Sequence, residues 1–215
     1  MVAYSLSHLT QADDQRVGGP IQDDEALVLF ALIRAMRLKR ILEVGGLGGY
    51  SARNFLEATG QNGQIYSIDL NPVPKLATNH FTIQKDINTI EEFDVHSAPL
   101  DLVFFDCHYY EGQMNAFWRL SHAGIITDRT VIALHDTNLF PSEIFPSKEV
   151  EGGWRHIHEE AMMVNEFKKW GYDIFCFHTD MRVHSDPAEN LPYRWGLTIA
   201  SRFKPLALTP ITRRS

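Results

Sequence analysis

The chain is 215 residues long with 44% apolar and 22% charged side chains, enough to bury one large core without disulfide or metal staples. Its formal net charge of -7 argues against general affinity for nucleic acid, which needs a basic face to release counterions. No apolar run approaches the ~18 residues of a spanning helix, residues 1–19 lack the basic and apolar regions of a secretory signal, and Cys107 and Cys176 belong to no CxxC pair. The expectation is a single domain over residues 1–215, cytoplasmic, that takes a small molecule and neither nucleic acid nor membrane; the oligomeric state is left open, a homodimer included.

After an N-terminal segment, residues 1–20, the pattern from about residue 24 onward alternates strands with helices. This predicts an α/β fold, doubly wound and Rossmann-like, with a mostly parallel seven-stranded sheet covered by helices on both faces and a last antiparallel strand. Asp23–Leu38 reads as an amphipathic helix, acidic at its start and basic at its end, and Arg40–Gly45 as a buried strand. Gly49–Thr59 is helical and closed by Gly60 and Gly63; Gln64–Leu70 is a second strand ended by Asn71-Pro72. Phe81–Asp86 is a third strand, and the unbroken apolar run within Asp101–Asp106 a central one buried on both faces. Glu111–Ala123 is a helix and Thr130–Asp136 a fifth strand. Thr137–Gly153, with Pro141, Pro146 and a glycine pair, reads as a long loop of functional length. His156–Trp170 is helical, Tyr172–His178 and Gly196–Arg202 are strands, Thr179–Trp195 is an irregular excursion, and residues 203–215 form a loose tail.

The strand-to-helix turn Glu43-Val44-Gly45-Gly46-Leu47-Gly48-Gly49-Tyr50-Ser51 is dense in glycine, which lets a backbone pass close to a ligand in conformations other residues resist. A dinucleotide fingerprint G-x-G-x-x-G fits less well: counted from Gly46 it ends on Ser51, and counted from Gly45 its third residue is Leu47. A nicotinamide cofactor is thus the weaker fit. The run Glu43-x-Gly45-x-x-x-Gly49-Tyr50-Ser51 resembles, without a gap, the first motif of the catechol and caffeoyl-CoA O-methyltransferases, class I enzymes that use S-adenosylmethionine. The resemblance implies that the glycines, Gly46 included, accommodate the amino-acid part of that cofactor while Glu43 helps to hold the turn. It continues at Ser67-Ile68-Asp69-Leu70-Asn71, where Asp69 matches the acid that takes the ribose hydroxyls with Asn71 beside it, and at Gln84-Lys85-Asp86, where Asp86 matches an acid near the adenine amino group. Chemistry supports Asp69 independently, since an acceptor-only carboxylate at a carboxyl strand edge can bind both hydroxyls of a ribose.

Two further strand ends carry polar clusters. Asp106 and His108 stand at the tip of the fourth strand, before Tyr109-Tyr110-Glu111-Gly112, and this stretch is similar to the acid, histidine and Tyr-Glu-Gly-like helix start of small-molecule methyltransferases. Asp106 is thereby a candidate for both cofactor and metal. The fifth strand ends in His135-Asp136-Thr137-Asn138, where the catechol-type enzymes have an Asp-Asn pair that, with the acid of the fourth strand, holds a divalent ion such as magnesium. Here His135-Asp136 occupies the pair, or Asp136-Thr137 if one residue is inserted, and Tyr109 stands where that family has a lysine.

Asp106 and Asp136 can give a hard cation two oxygen ligands; alternatively a His-Asp pair works without metal. His108 is the candidate general base, because an ordinary imidazole pKa of about 6.5 leaves it mostly neutral at cellular pH. His135 is a second catalytic candidate after Asp136, since adjacent strand residues point to opposite faces and both should not line one pocket. His8, His80, His96, His122, His178 and His184 read as surface or packing residues, Trp118 and Trp170 as core. Trp154, Arg155, His156 and His158 face either the acceptor or solvent. The resemblance implies O-methylation of a small hydroxylated molecule, a phenol, sugar or other natural-product intermediate. An NAD(P)-dependent oxidoreductase, a cofactor-binding protein without catalysis, and an N-methyltransferase stay open.

Overall fold

The structure, a computed structural model, describes residue 21 and residues 23–137, 159–177 and 196–203. The segment 1–20, the long loop from Asn138 through Trp154, Arg155, His156 and His158, the excursion Thr179–Trp195, His178 and the tail beyond Phe203 lie outside the described residues. The elements run α1 (Asp23–Met36), β1 (Arg40–Val44), α2 (Tyr50–Thr59), β2 (Gln64–Asp69), β3 (His80–Gln84), β4 (Leu102–Phe105), α3 (Tyr110–His122), β5 (Val131–Leu134), α4 (Glu159–Lys169), β6 (Asp173–Cys176) and β7 (Thr198–Ser201). They build one seven-stranded sheet in the order β3-β2-β1-β4-β5-β7-β6. The first five strands pair in parallel, and β7 runs antiparallel between β5 and β6. The last strand is therefore antiparallel, as the sequence predicts.

Each face of the sheet carries a core because side chains alternate along a strand. Ile41, Ile65, Leu102, Phe104, Val131 and Ala133 pack with α1 and α2 through Leu29, Ile33 and Phe55. Leu42, Val44, Val103, Phe105, Ile132 and Leu134 pack on the other face with Phe117 of α3 and Phe167 of α4. The aromatic surplus gathers beyond that second core: Phe117 and Phe167 meet Trp170, and Trp118 lies against Trp170 with ring centroids 4.6 Å apart. Trp118 itself is exposed rather than core. Among the described residues no helix is long and apolar enough to cross a membrane.

The alternation of strands and helices breaks in two places. β2 joins β3 without a helix, and β3 joins β4 through two short 3-10 turns, Ile87–Thr89 and Glu92–Val95. Local polar chemistry takes over there: Asp86 accepts from Asn88 N–H, Glu91 and Asp94 form a reciprocal capping box, and Lys85 binds Asp94 at 2.7 Å. Such side-chain bonds compete with helix formation.

The strand order reverses between β1 and β4. That topological switch opens a crevice outside their carboxyl ends, where open α/β sheets receive ligands. It places the glycine turn after β1 against the polar residues after β4.

Candidate active site

The turn begins on a buried carboxylate. Glu43 is 0% exposed, and its two oxygens accept short hydrogen bonds from Ser51 Oγ of α2 and Ser67 Oγ of β2. Ser67 is the register partner of Glu43, and behind it His80 Nε2 approaches Ser67 Oγ at 2.8 Å while Leu76 N–H donates to His80 Nδ1. The chain His80, Ser67, Glu43, Ser51 ties β3, β2, β1 and α2 together beneath the turn. Burial pushes the Glu43 carboxyl up to about 7, against the opposing serine hydrogen bonds. His80, which the sequence presents as a surface or packing residue, is a buried member of this support. Burial, with Lys75 nearby, holds its imidazole below the usual range.

Above that support the backbone turns through left-handed conformations at Gly45 (φ 97°) and Gly49 (φ 78°). A Cβ on Gly45 would lie 2.1 Å from the carbonyl oxygen of Asp106, and one on Gly46 would meet Val73 at 2.8 Å. The turn and the end of β4 are therefore in backbone contact. Asp69 closes the other rim: one of its oxygens accepts from Leu47 N–H at 3.1 Å and the other from Asn71 N–H at 2.8 Å. Tyr50 packs on the α1/α2 core. Asp86 is exposed and caps its own turn through Asn88.

The second half of the site is a cluster of charges at the ends of β4 and β5. His135 is 2% exposed and lies between carboxylates: Nδ1 is 2.9 Å from Asp106 Oδ1, and Nε2 is 3.0 Å from Glu25 Oε2 of α1. Carboxylates only accept, so both ring nitrogens carry protons. Burial opposes that charge, but Asp106, Asp136 and Glu25 outweigh it and hold the imidazole well above its ordinary range. Glu25 also accepts from Gly196 N–H at 3.0 Å.

On the other side His108, in a left-handed conformation at φ 53°, is gripped by Glu160 of α4. Glu160 Oε1 accepts from His108 N–H at 2.8 Å and from Gln113 Nε2 at 2.9 Å, while Oε2 faces His108 Nδ1 at 3.2 Å. His108 Nε2 lies 3.2 Å from Asp136 Oδ2. Burial works against the imidazolium here also, yet Glu160, Asp136 and Asp106 hold it up to about 9. Glu160 responds in kind: it is fully buried, which alone would raise its pKa, and the contacts with His108 bring it below the usual range. Burial, partly offset by His135 and His108, pushes Asp136 up to about 7.

Two expectations change. His135 and Asp136 do diverge to opposite faces, toward Glu25 of α1 and toward His108 beside α4, but they also meet: β5 ends at Leu134, Asp136 takes a left-handed φ of 54°, and its Oδ1 comes within 3.2 Å of His135 Nδ1. The premise of a neutral His108 also fails, because its two nitrogens face Glu160 and Asp136. Thr137 turns away, its hydroxyl 2.6 Å from that of Thr198 on β7. The cluster thus joins Asp106, His108, His135 and Asp136 with Glu25 and Glu160, which sequence reasoning missed.

Elsewhere, a cavity of about 500 Å³ opens at the amino edge of the sheet, lined by Lys39, Arg40, Asn62, Asn79 and Phe81 among others. Its cations are committed: Lys39 Nζ donates to Thr59 O at 2.7 Å and the Arg40 guanidinium to Val95 O at 2.6 Å. The convergent polar groups lie at the opposite edge, and the site is assigned there.

No family model matches the sequence, and no curated protein matches it. Solved structures do match in fold. An S-adenosylhomocysteine-bound methyltransferase of Podospora anserina superposes with a TM-score of 0.58 at 15% identity, covering 91% of this chain and 86% of that one. An O-methyltransferase of tomaymycin synthesis from Streptomyces achromogenes, in complex with S-adenosylmethionine, gives 0.58 at 16% identity over 85% and 81%. An O-methyltransferase of Bacillus cereus with S-adenosylhomocysteine gives 0.57 at 14% identity over 86% and 82%. The chain shares their α/β architecture.

Proposed function

We propose that the protein is an S-adenosylmethionine-dependent O-methyltransferase acting on a hydroxyl of a small molecule, a phenol, a sugar or another natural-product intermediate. The observation that carries this reading is the contact between the glycine turn after β1 and Asp106 after β4, which sets a cofactor cradle beside a proton-handling cluster at the switch point of the sheet. The neighbours in fold that are crystallised with S-adenosylmethionine or its demethylated product support it. A cytoplasmic enzyme is the accompanying reading.

In this assignment the turn from Gly45 to Gly49 receives the amino-acid end of the cofactor. Glu43 and Ser51 hold that turn from below rather than touching the ligand. Asp69 exchanges its backbone partners for, or shares them with, the ribose hydroxyls, with Asn71 beside it; Asp86 lies further along the same rim for the adenine. The methyl group leaves sulfur as the acceptor oxygen bonds to carbon, and the hydroxyl proton departs to the protein side. Asp136, faced by His108 Nε2, is the group placed to manage that proton. His135 acts behind them, orienting Asp106.

The residues also fit a divalent cation, since among the described residues the buried Asp136 Oδ1 has no hydrogen-bond partner and ligand atoms of Asp106, His108 and Asp136 lie within 4.8 Å of one another. A bound cation would lower the acceptor's pKa and fix its oxygen.

Calorimetric titration tests the reading. S-Adenosylhomocysteine should bind and NADPH should not, and Asp69→Ala should weaken the former by about 1 to 3 kcal/mol, the scale for hydrogen bonds to a charged group. Binding of NADPH in place of S-adenosylhomocysteine would make the protein an oxidoreductase.

A further inference from the structure

Glu160 is a carboxylate with 0% exposure on a helix remote in sequence from β4, and its oxygens are spent on one neighbourhood. It accepts from the backbone N–H of His108, from Gln113 Nε2 and, at 3.2 Å, from His108 Nδ1. Because a carboxylate only accepts, the Nδ1 position keeps its proton, and the ring's remaining donor atom, Nε2, is directed at Asp136. Burying a carboxylate costs several kcal/mol unless it is well paired. What this one achieves is to fix a tautomer and a ring direction.

The same construction stands behind Asp106. Its Oδ1 is held by His135 Nδ1 at 2.9 Å, and His135 is held in turn by Glu25 at 3.0 Å. Inward of both supports lie three donor atoms, one each from Asp106, His108 and Asp136, all within 4.8 Å of one another. Opposite ligands of a six-coordinate ion with bonds of about 2.1 Å are separated by about 4.2 Å. Asp136 is only 9% exposed, and its Oδ1, 3.2 Å from His135 Nδ1, has no hydrogen-bond partner of good geometry among the described residues.

A histidine whose outer nitrogen is donated to a carboxylate while the inner one meets acidic oxygens is the arrangement that metal-ligating histidines adopt almost without exception. We infer that His108 Nε2 is a ligand, with Asp106 and Asp136, of one divalent cation, and that Glu160 is the positioning residue that presents it. The inference rests on the methyltransferase reading only for what the cation does there. It also departs from the magnesium expected by resemblance. An imidazole nitrogen in place of an oxygen favours ions of the manganese-to-zinc series over magnesium, which prefers oxygen and keeps its waters. With Nε2 so used, His108 is not the base, and proton removal falls to solvent at the activated hydroxyl.

Manganese is the probe, because its electron spin reports directly on a coordinated nitrogen. The full-length protein, stripped with EDTA and titrated with Mn²⁺, should bind one ion, at least about tenfold more tightly than Mg²⁺. Pulsed electron paramagnetic resonance should show ¹⁴N modulation from one imidazole. His108→Ala should remove the modulation, and Glu160→Gln should weaken Mn²⁺ by about 10- to 100-fold, the usual effect of losing an outer partner, with affinity for S-adenosylhomocysteine unchanged in both. Bound manganese without nitrogen modulation in the parent protein overturns the inference, as does failure to bind Mn²⁺ at all; both measurements are made on the parent, so neither depends on a variant folding. Nitrogen modulation in a protein that ignores S-adenosylhomocysteine would keep the metal site and remove the methyltransferase reading instead.

Discussion

Gly45→Ala separates the two halves of the proposed site by a single methyl group. At φ 97° an alanine is strained wherever it stands, and here its Cβ would lie 2.1 Å from the carbonyl oxygen and 2.7 Å from the carbonyl carbon of Asp106. Both are backbone atoms of the residue that follows a fully buried strand, so the obstruction cannot rotate away as a side chain would. A left-handed L-residue costs about 1 to 2 kcal/mol and overpacking a rigid site about 1 to 3 kcal/mol more. Their sum of about 2 to 5 kcal/mol corresponds to a drop in Tm on the order of 10 °C for a chain of this size. Scanning calorimetry measures the loss, and titration with S-adenosylhomocysteine should show weakened binding in whatever folds. Gly48→Ala is the internal control: no atom of the described residues lies within 4 Å of its Cβ and its backbone is not left-handed, so its Tm should stay close to that of the parent. Equal Tm values for the parent and Gly45→Ala, with equal affinity, would refute the contact between turn and cluster on which the functional reading stands.

Three other outcomes are expected. Because burial raises Glu43 from 4.5 to about 7, the folded chain keeps a proton that the unfolded chain releases between those pH values, so stability falls as pH rises through that window, by about 3 kcal/mol at 1.4 kcal/mol per unit. Asp136, also raised to about 7, adds to the same slope, so urea unfolding of Glu43→Gln should lose roughly half of it, and an unchanged slope would show that Glu43 contributes none of it. His135→Ala leaves Glu25 and Asp106 buried without their shared partner and should cost about 3 to 5 kcal/mol by urea unfolding; a loss below about 1 kcal/mol would contradict the buried ion pairs. His108→Ala, assayed on any hydroxylated acceptor that the parent methylates, should lower turnover by at least about 100-fold, through loss of the imidazole that faces Asp136, with cofactor affinity intact. Unchanged turnover across about pH 6 to 9 would remove His108 from the chemistry.

The proposed cofactor half of the site is legible in the sequence because backbone constraints leave marks in spacing. Gly45 and Gly49 are the turn glycines with positive φ, a region glycine occupies without strain, while Leu47 between them also has a positive φ, of 32°. Asp69 is legible on its side-chain chemistry, as an acid at the carboxyl end of its strand. Glu43 and Ser67 carry a subtler signal: they are polar residues within otherwise apolar strands, and they prove to be register partners. An interior polar residue in each of two neighbouring strands is a sign of a buried pair. Asp86 shows the limit of motif matching, since the same acid that resembles an adenine contact also caps its own turn.

The proposed acceptor half is written in tertiary contacts, and these have no spacing. Glu25 lies 110 residues from His135 and Glu160 lies 52 from His108, and each reads in the sequence as an ordinary acidic residue near the start of a helix, where the dipole favours it anyway. What distinguishes them is burial, which follows from α1 and α4 covering opposite faces of the sheet. That placement explains why two histidines from adjacent strands serve one site. His135 follows the alternation of β5 toward α1, Asp136 follows it toward α4, and the left-handed turn at Asp136 brings both back over the strand end to Asp106. The rule that neighbouring strand residues face apart holds inside a strand and lapses at its carboxyl end, where the ladder no longer fixes the backbone. Open α/β sheets bind their ligands at that end for a related reason: it is where side chains from opposite faces of the sheet can reach the same ligand.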